Sequence, residues 1–556
     1  MVALLIRLWG IKSGLPYAFN SDENAHFVPK AIGLFGHSWE PPGRYFVNPP
    51  AFTYLLHVVF AVWFGGREGV YHAFATDPGA VFAVGRVCAA VLGTLAVWLV
   101  YLAGARFFDR RVGLLGAALM AVSFLPVFYS RLALNDVPTL APLCLSLWGV
   151  AGVLRGGRTR DYVVAGAGLG LATATKYTGG IVIVPLLAAC GAQMLAPAGR
   201  GAAVRGLLAA AACALAAFVI ANPYAVIDFS AFRDGLSHQT TAADADLGKL
   251  GLSQTNGYLY YLWTLSWGMG WVALLGAIGG ALALARDERR LAVVLVPAPL
   301  LFVLFMGSQT RFFGRWLLPI FPIVALLAAY FLLELAEAAG RRRPALRPAL
   351  ATLAALALCG QGLVYSVHGG LVNAREDTRN IVRRWMVDHI PVRAKIVVEP
   401  VAPDGWAQDV GRPSPLVSNG NRWTKYPTSR SLVDPLTGER VPPPGMIVNI
   451  EDYERTLTPA LIRRYEAGGY CWVVTGSTQR GRAEAEPATV PQAVAYYDTL
   501  DREAVVAFRA TPFAAGHADV PFNFDWSFDY YPLAYHRPGP VMTVYRLQGG
   551  RCAGVS

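Results

Sequence analysis

At 556 residues, with 54% hydrophobic residues, only 15% charged residues and a mean hydropathy of +0.40, the chain is too apolar for a soluble globular protein. A formal net charge of +12 and a pI of about 9.4 do not indicate a nucleic-acid partner. The arginines cluster in short loops between apolar runs, as membrane topology requires.

The first apolar run, Met1–Trp9, is interrupted by Gly10, Lys12, Gly14 and Pro16. It falls short of the ~20 residues that cross a bilayer, so either initiation lies upstream or this first helix enters only partway. It carries no small-residue cleavage site and is not read as a cleavable signal. The polar stretch Asn20–Leu56 follows, with Asp22, Glu23, His26, Lys30 and Arg44. Acid pairs are costly beside lipid, which makes a membrane-edge carboxylate a site candidate. Within the first outer loop, 20–79, the runs 23–36 and 51–64 read as interfacial helices, because His26, Lys30 and His57 interrupt their apolar patterns.

Spanning candidates then follow at 80–105, 112–130, 136–154, 161–175, 178–196, 206–222, 262–285, 291–306, 317–338 and 348–367, giving eleven helices with the first. With 20–79 outside, the loops assigned to the cytoplasm hold fifteen arginines against four acids, Asp109, Asp161, Asp287 and Glu288. The turn Arg131–Asp136, the loop 223–261, the Arg311/Arg315 pair and everything after residue 368 then face outward. The aromatic run 258–267 suits the outer headgroup level.

After Gly369 charge, proline and turn residues become frequent, and 371–556 reads as a separate α/β or α+β domain on the outer surface. An amphipathic helix is predicted at 376–389 and strands at 394–399, 470–475, 503–508 and 541–547; the Pro- and Gly-rich stretch 400–446 is unassigned. Cys88, Cys144, Cys190, Cys213 and Cys359 lie in apolar runs as small hydrophobes. Cys471 and Cys552 lie in the outer domain, where a disulfide persists if geometry permits one.

Two readings compete at each polar motif. Ser21 or Asp22 is a candidate N-cap. Asp22 and His26, at i and i+4, also share a helix face, where such a pair orients an acceptor, holds a proton or contributes to a metal site. Asn135 or Asp136 before Pro138 resembles an N-cap; Asp136 is also a candidate to hold a divalent metal with Asp22 and His26, to position the acceptor or to fix Arg131. Arg311 and Arg315 either snorkel toward headgroups or bind phosphate. Lys176, in a tight Gly-flanked turn, fits snorkelling less well. There is no nucleotide-binding glycine loop, no HExxH and no paired CxxC. An enzyme of this kind calls for a donor other than a nucleotide, and lipid-linked phosphate is the natural candidate.

In order along the chain, RLWGIKSGLP and SDENAH (7–26), FVNPPAFTYLL (46–56), RLALNDVPTLAP (131–142), ATATKYTGG (172–180), ANPYAVIDFSAFRDGL (221–236) and RFFGRWLLPIFP (311–322) resemble the GT-C class of glycosyltransferases. The similarity is to bacterial relatives of protein O-mannosyltransferases and of the aminoarabinose transferase that modifies lipid A, and it covers roughly residues 1–370. The region 371–556 looks like the extracytoplasmic domain that many such proteins carry. The resemblance implies a polytopic enzyme of the bacterial cytoplasmic membrane. It implies transfer of a sugar from a polyprenyl-phosphate donor to a hydroxyl of a lipid, polysaccharide or protein on the outer face, usually with inversion. By the same resemblance Asp22 matches the first-loop acid taken as general base, Glu23 its acidic neighbour and Asp136 the second-loop acid. Asn48 stands where the aminoarabinose enzymes have a lysine before two prolines, which leaves Arg44, Lys176, Arg311 or Arg315 to meet the donor phosphate. His26, Asn48 and Arg131 are expected to position donor or acceptor. The rival readings are a transporter or flippase of lipid-linked sugars, which predicts ionisable residues deep within helices, and a non-catalytic envelope scaffold.

Overall fold

The structure, a computed structural model, describes residues 1–36, 39–195, 199–244, 250–252, 255–341, 344–409, 420–429, 448–449, 453–525 and 531–554. The mostly apolar stretch 78–107 forms the 30-residue helix Pro78–Phe107, which starts where Asp77 accepts from the Ala80 amide at 3.2 Å and Pro78 occupies the first turn. At 1.5 Å per residue it spans about 45 Å, more than the ~30 Å of a hydrocarbon core. Tyr177–Met194, Arg200–Ala221, Arg289–Gly307, Gly314–Gly340 and Pro344–His389 are also long and apolar enough to cross, making six such helical stretches among the described residues.

Fewer crossings thus satisfy length and composition than the eleven expected. The predicted span 262–285 is broken: Gly257–Gly268 and Trp271–Asp287 meet at 114° and count at most as a seventh span. The break falls at Gly270, whose φ of +126° few side chains tolerate. The run 112–130 divides into Arg110–Val122 and Phe124–Tyr129. Leu140–Gly156 and Thr159–Thr175 have 17 residues each, or about 25 Å. Gly-rich faces let these helices approach closely. A Cβ on Gly166 or Gly170 would fall 2.1 Å from the carbonyl oxygens of Ala210 and Ala214 on the next helix.

Before Pro78 the chain is short-segmented. The 14-residue helix Ala51–Phe64 reaches about 21 Å, too short to span, and Arg67–Thr76 leads from it into the long helix. The N-terminal helix Val2–Leu8 is fixed by buried Arg7, which donates to the carbonyls of Ala3, Ala121 and Met120 at 2.9, 3.0 and 3.1 Å.

The polar C-terminal part builds a second core around a five-stranded sheet. Its strands are β1 (Lys395–Val398), β2 (Thr424–Lys425), β5 (Tyr470–Gly476), β6 (Val505–Ala510) and β7 (Met542–Arg546), in the order β2-β1-β5-β7-β6. β1 runs parallel to β2 and β5, whereas β7 is antiparallel to β5 and β6. Two short strands, β3 (Thr428–Ser429) and β4 (Val448–Asn449), pair separately. Helices Thr378–His389, Ala460–Gly468, Ser477–Ala485 and Pro491–Glu503 accompany the sheet, and a Cys471–Cys552 disulfide ties β5 to the C-terminal segment. Residues 410–419 and 430–446 of the unassigned stretch lie outside the described residues. The C-terminal core also takes in two residues from the apolar helical part, Tyr17 and Leu250.

Candidate active site

The loop after the N-terminal helix turns into a helix at Asn20. The Asn20 Oδ1 accepts from the backbone amides of Asp22 and Glu23 at 3.1 and 3.2 Å, the bonding of an N-cap. Ser21 and Asp22 are therefore not the cap, and the Asp22 carboxylate makes no capping bond. The next residues, Glu23–Phe27, form a π turn, a wider turn often found at functional sites. Successive helical side chains diverge by roughly 100°. That divergence sends the two adjacent acids to different partners.

Glu23 points inward. It is fully buried, forms a two-pronged pair with Arg86 at 2.7 and 2.8 Å, and accepts from the Ala133 amide at 2.9 Å. Arg86 also donates to the carbonyls of Ile11 and Ser13, both at 2.8 Å. Glu23 thus joins the N-terminal segment to the long helix and to the second acidic stretch, and is not free for chemistry. Arg86 lies about two turns inside the helix Pro78–Phe107, so not every charge of the apolar helical part sits at a helix end. A lone arginine within the run 80–105 was its signal.

Asp22 points to a different set of partners and is half-buried. Arg315 donates to it at 2.6 Å, and the Arg315 Nε lies 4.0 Å from Asp136. Asp136 is buried and paired with Lys176, which follows directly on the helix Thr159–Thr175 in an extended conformation. Asp136 does not cap the following helix, which starts at Leu140. The Phe313 ring lies under both guanidinium groups, 5.2 Å from Arg311 and 4.9 Å from Arg315. Burial works to raise the Asp22 carboxyl, but Arg315, His26, Arg311 and Lys176 together outweigh it and hold Asp22 below its ordinary value.

Beside this cluster His26 stacks on Tyr45 with centroids 5.0 Å apart, and the Lys30 ammonium sits 4.1 Å over the same ring. Asn48 donates to the Tyr45 hydroxyl at 2.8 Å. His26, Lys30, Tyr45, Asn48 and Tyr54 line a small pocket. Asn48 therefore stands in the pocket wall and supplies no positive charge.

Two expected residues lie elsewhere. Arg44 pairs with Asp228 through Nε and Nη2 at 2.6 and 2.7 Å and donates to Ser230 at 3.1 Å, fastening the first loop to the segment after Asn222. Arg131 is buried and donates to the carbonyls of Ile6 and Ser366 at 2.9 and 3.1 Å. It ties helix Val2–Leu8 to helix Arg347–Asn373, whereas Asp136 pairs with Lys176.

The residues suggested for a metal do not fit one. Asp22 and Asp136 each face a cation, His26 stacks on Tyr45, and among the described residues no group of three or more His, Cys, Asp or Glu could share an ion.

The fold is that of the GT-C class of membrane glycosyltransferases. Residues 72–226, less than a third of the chain, match the family described as dolichyl-phosphate-mannose-protein mannosyltransferase. That stretch contains Asp136 and Lys176 but neither Asp22 nor Arg315. Among solved structures, ArnT from Cupriavidus metallidurans shares 13% identity over 100% of this chain and 98% of its own, with a TM-score of 0.50. The apo oligosaccharyltransferase of Archaeoglobus fulgidus shares 14% over 94% of this chain and 75% of its own, with a TM-score of 0.50. The Archaeoglobus fulgidus oligosaccharyltransferase AglB, in complex with an inhibitory peptide and a dolichol-phosphate, has a TM-score of 0.51 at 15% identity, over 94% of this chain and 74% of its own. No curated protein sequence matches this one closely enough to count as a relative.

Proposed function

We propose that the chain transfers a sugar from a polyprenyl-phosphate donor to an acceptor hydroxyl, by single displacement with inversion, on the outer face of a bacterial cytoplasmic membrane. In this reading residues 1–370 carry the chemistry and 371–556 lie outside the membrane. The observation that carries the proposal is the placement of Arg315, which bonds to Asp22 while reaching toward Asp136 and its partner Lys176.

Three cations, Lys176, Arg311 and Arg315, surround two carboxylates, Asp22 and Asp136. The surplus positive charge suits a phosphate-bearing ligand. The acceptor hydroxyl hydrogen-bonds to Asp22. As its oxygen attacks the anomeric carbon, its proton passes to the carboxylate. The bond from that carbon to the phosphate oxygen breaks, and Arg311 and Arg315 stabilise the charge gained by the leaving lipid phosphate. The donor phosphate also competes with Asp22 for Arg315. When it draws the guanidinium away, Asp22 becomes the stronger base, so basicity rises once donor is bound.

The test is incubation of the purified full chain in detergent with a labelled polyprenyl-phosphate sugar and candidate acceptors. Label moving to acceptor, with one lipid phosphate released per transfer, is the expected result. Intact donor after incubation with folded protein overturns the reading. In vesicles, movement of intact donor across the bilayer identifies a flippase instead.

A further inference from the structure

We infer that the outer domain is a positioning element of the proposed active site, holding the Asp22 segment from one side and the Arg315 segment from the other. This rests on the reading of Asp22 and Arg315 given above.

The first hold acts through residues 14–20. Ala18 belongs to the membrane core, whereas Tyr17 belongs to the outer-domain core and Phe19 packs against it. This short stretch is therefore clamped between two cores. Helix Thr378–His389 supplies the outer jaw. The Arg379 guanidinium lies 3.7 Å from the centroid of the Phe19 ring, and that of Arg383 5.2 Å from the Tyr17 ring. Both arginines are themselves fixed. Arg379 pairs with Asp377 through two bonds at 2.9 and 2.7 Å, and Arg383 donates to the Trp406 carbonyl at 2.7 Å. Asn380 adds a bond to the Gly14 carbonyl at 3.3 Å. One residue beyond Phe19, Asn20 caps the turn that carries Asp22. A rigid hold on Phe19 thus sets where that turn begins.

The second hold acts through residues 522–525. Phe524 packs against Phe313 with centroids 6.1 Å apart, and Phe313 lies under both Arg311 and Arg315. Arg482 covers Phe524 at 5.5 Å, and buried Asp525 accepts from the Tyr260 hydroxyl at 2.6 Å. The two holds meet the proposed chemistry at different groups. The Phe19 clamp orients the base, and the Phe524 contact orients the phosphate-binding arginines.

Different kinetic signatures follow. Arg379→Ala and Phe19→Ala lower kcat by roughly tenfold to a hundredfold, the scale on which small misplacement of a reacting group acts, while donor KM stays near wild type. Phe19→Trp, which keeps an aromatic face for Arg379, restores kcat. Phe524→Ala raises donor KM, and Phe524→Tyr restores it. Hydrogen exchange on the full-length protein without substrate supplies a readout independent of transfer. In Arg379→Ala, amides of residues 17–23 exchange faster, while the helix Thr378–His389 and the sheet strands keep wild-type protection. Wild-type exchange at 17–23 in both Arg379→Ala and Phe19→Ala overturns the inference, whether or not the protein proves to be a transferase. So does an unchanged donor KM in Phe524→Ala together with a kcat that returns to wild type in all three alanine variants once it is normalised to the amount of folded protein. Absence of transfer by the wild type, with accelerated exchange in Arg379→Ala, overturns the proposed activity and leaves the mechanical hold intact.

Discussion

Glu23 in the apolar helical part and Glu399 in the C-terminal part are both fully buried, yet they are accommodated by opposite means. Glu23 meets a full counter-charge in Arg86, with a backbone amide completing its bonds. Among the described residues Glu399 receives only the Tyr497 hydroxyl and the Gly476 amide, both at 2.7 Å. Burial, helped by nearby Glu454, pushes Glu399 up to about 8 against those two bonds. Beside the long helix the acid is thus paired with a cation, which fixes three segments of chain relative to one another. In the C-terminal core the acid holds its proton instead. Asp22 differs from both: it is half-buried, held below its ordinary value, and faced by Arg315, His26, Arg311 and Lys176. That concentration of cations separates a candidate site from two structural carboxylates.

The comparison is broken most directly at Asp22. Asp22→Asn is expected to lower transfer by about 10²- to 10⁴-fold, the usual span for loss of a general base, with unchanged yield and melting temperature in detergent. A variant that retains full turnover with a labelled lipid-linked sugar refutes the assignment. Arg86→Met should act on the fold instead. Removing one partner leaves Glu23 charged and unpaired, a loss of about 3–5 kcal/mol, seen as a lowered melting temperature. If its stability matches wild type, the pair is not the anchor described.

Arg311→Ala is expected to raise donor KM with little change in folded yield; unaltered donor affinity and turnover would instead favour a snorkelling role. Glu399→Gln sharpens the contrast through pH. Because the folded-state value lies above the ordinary 4.5, the folded chain keeps a proton that the unfolded chain releases. This contribution is complete below about 4.5 and is lost as pH rises to about 8. The C-terminal part should therefore lose stability across that window in the wild type, and the slope should flatten in the glutamine variant. Equal slopes by thermal unfolding at several pH values count against a protonated Glu399. The smallest change is expected from Arg44→Ala. The Arg44–Asp228 pair is exposed and solvent-screened, so donor KM and turnover should stay at wild-type values; a raised KM would return Arg44 to the donor site.

Much of the site was legible locally. Asp22, Asp136, Lys176 and Arg315 stand out because charge is rare in an apolar chain, and the structure brings these four together. What misled was proximity in sequence. Asp22 and Glu23 are neighbours but belong to different networks, Arg131 lies five residues from Asp136 without fixing it, and Asn20 rather than Ser21 or Asp22 caps the turn. Arg86 was passed over inside a run read only for its apolar content. Phe19 and Phe313 carry no local mark at all, since an aromatic residue beside a membrane segment is ordinary until its partner is known.

Composition and periodicity established a helical membrane chain with a polar domain at its C-terminal end, because hydrophobic length and strand alternation are properties of short windows. They could not establish which carboxylate meets Arg315, where the 262–285 run breaks, or that Tyr17 joins the C-terminal core. Those outcomes depend on pairs hundreds of residues apart, such as Asp22 with Arg315 and Phe19 with Arg379. Their formation is decided by how helices and sheet pack, since a buried charge takes whichever counter-charge or donor that packing presents to it.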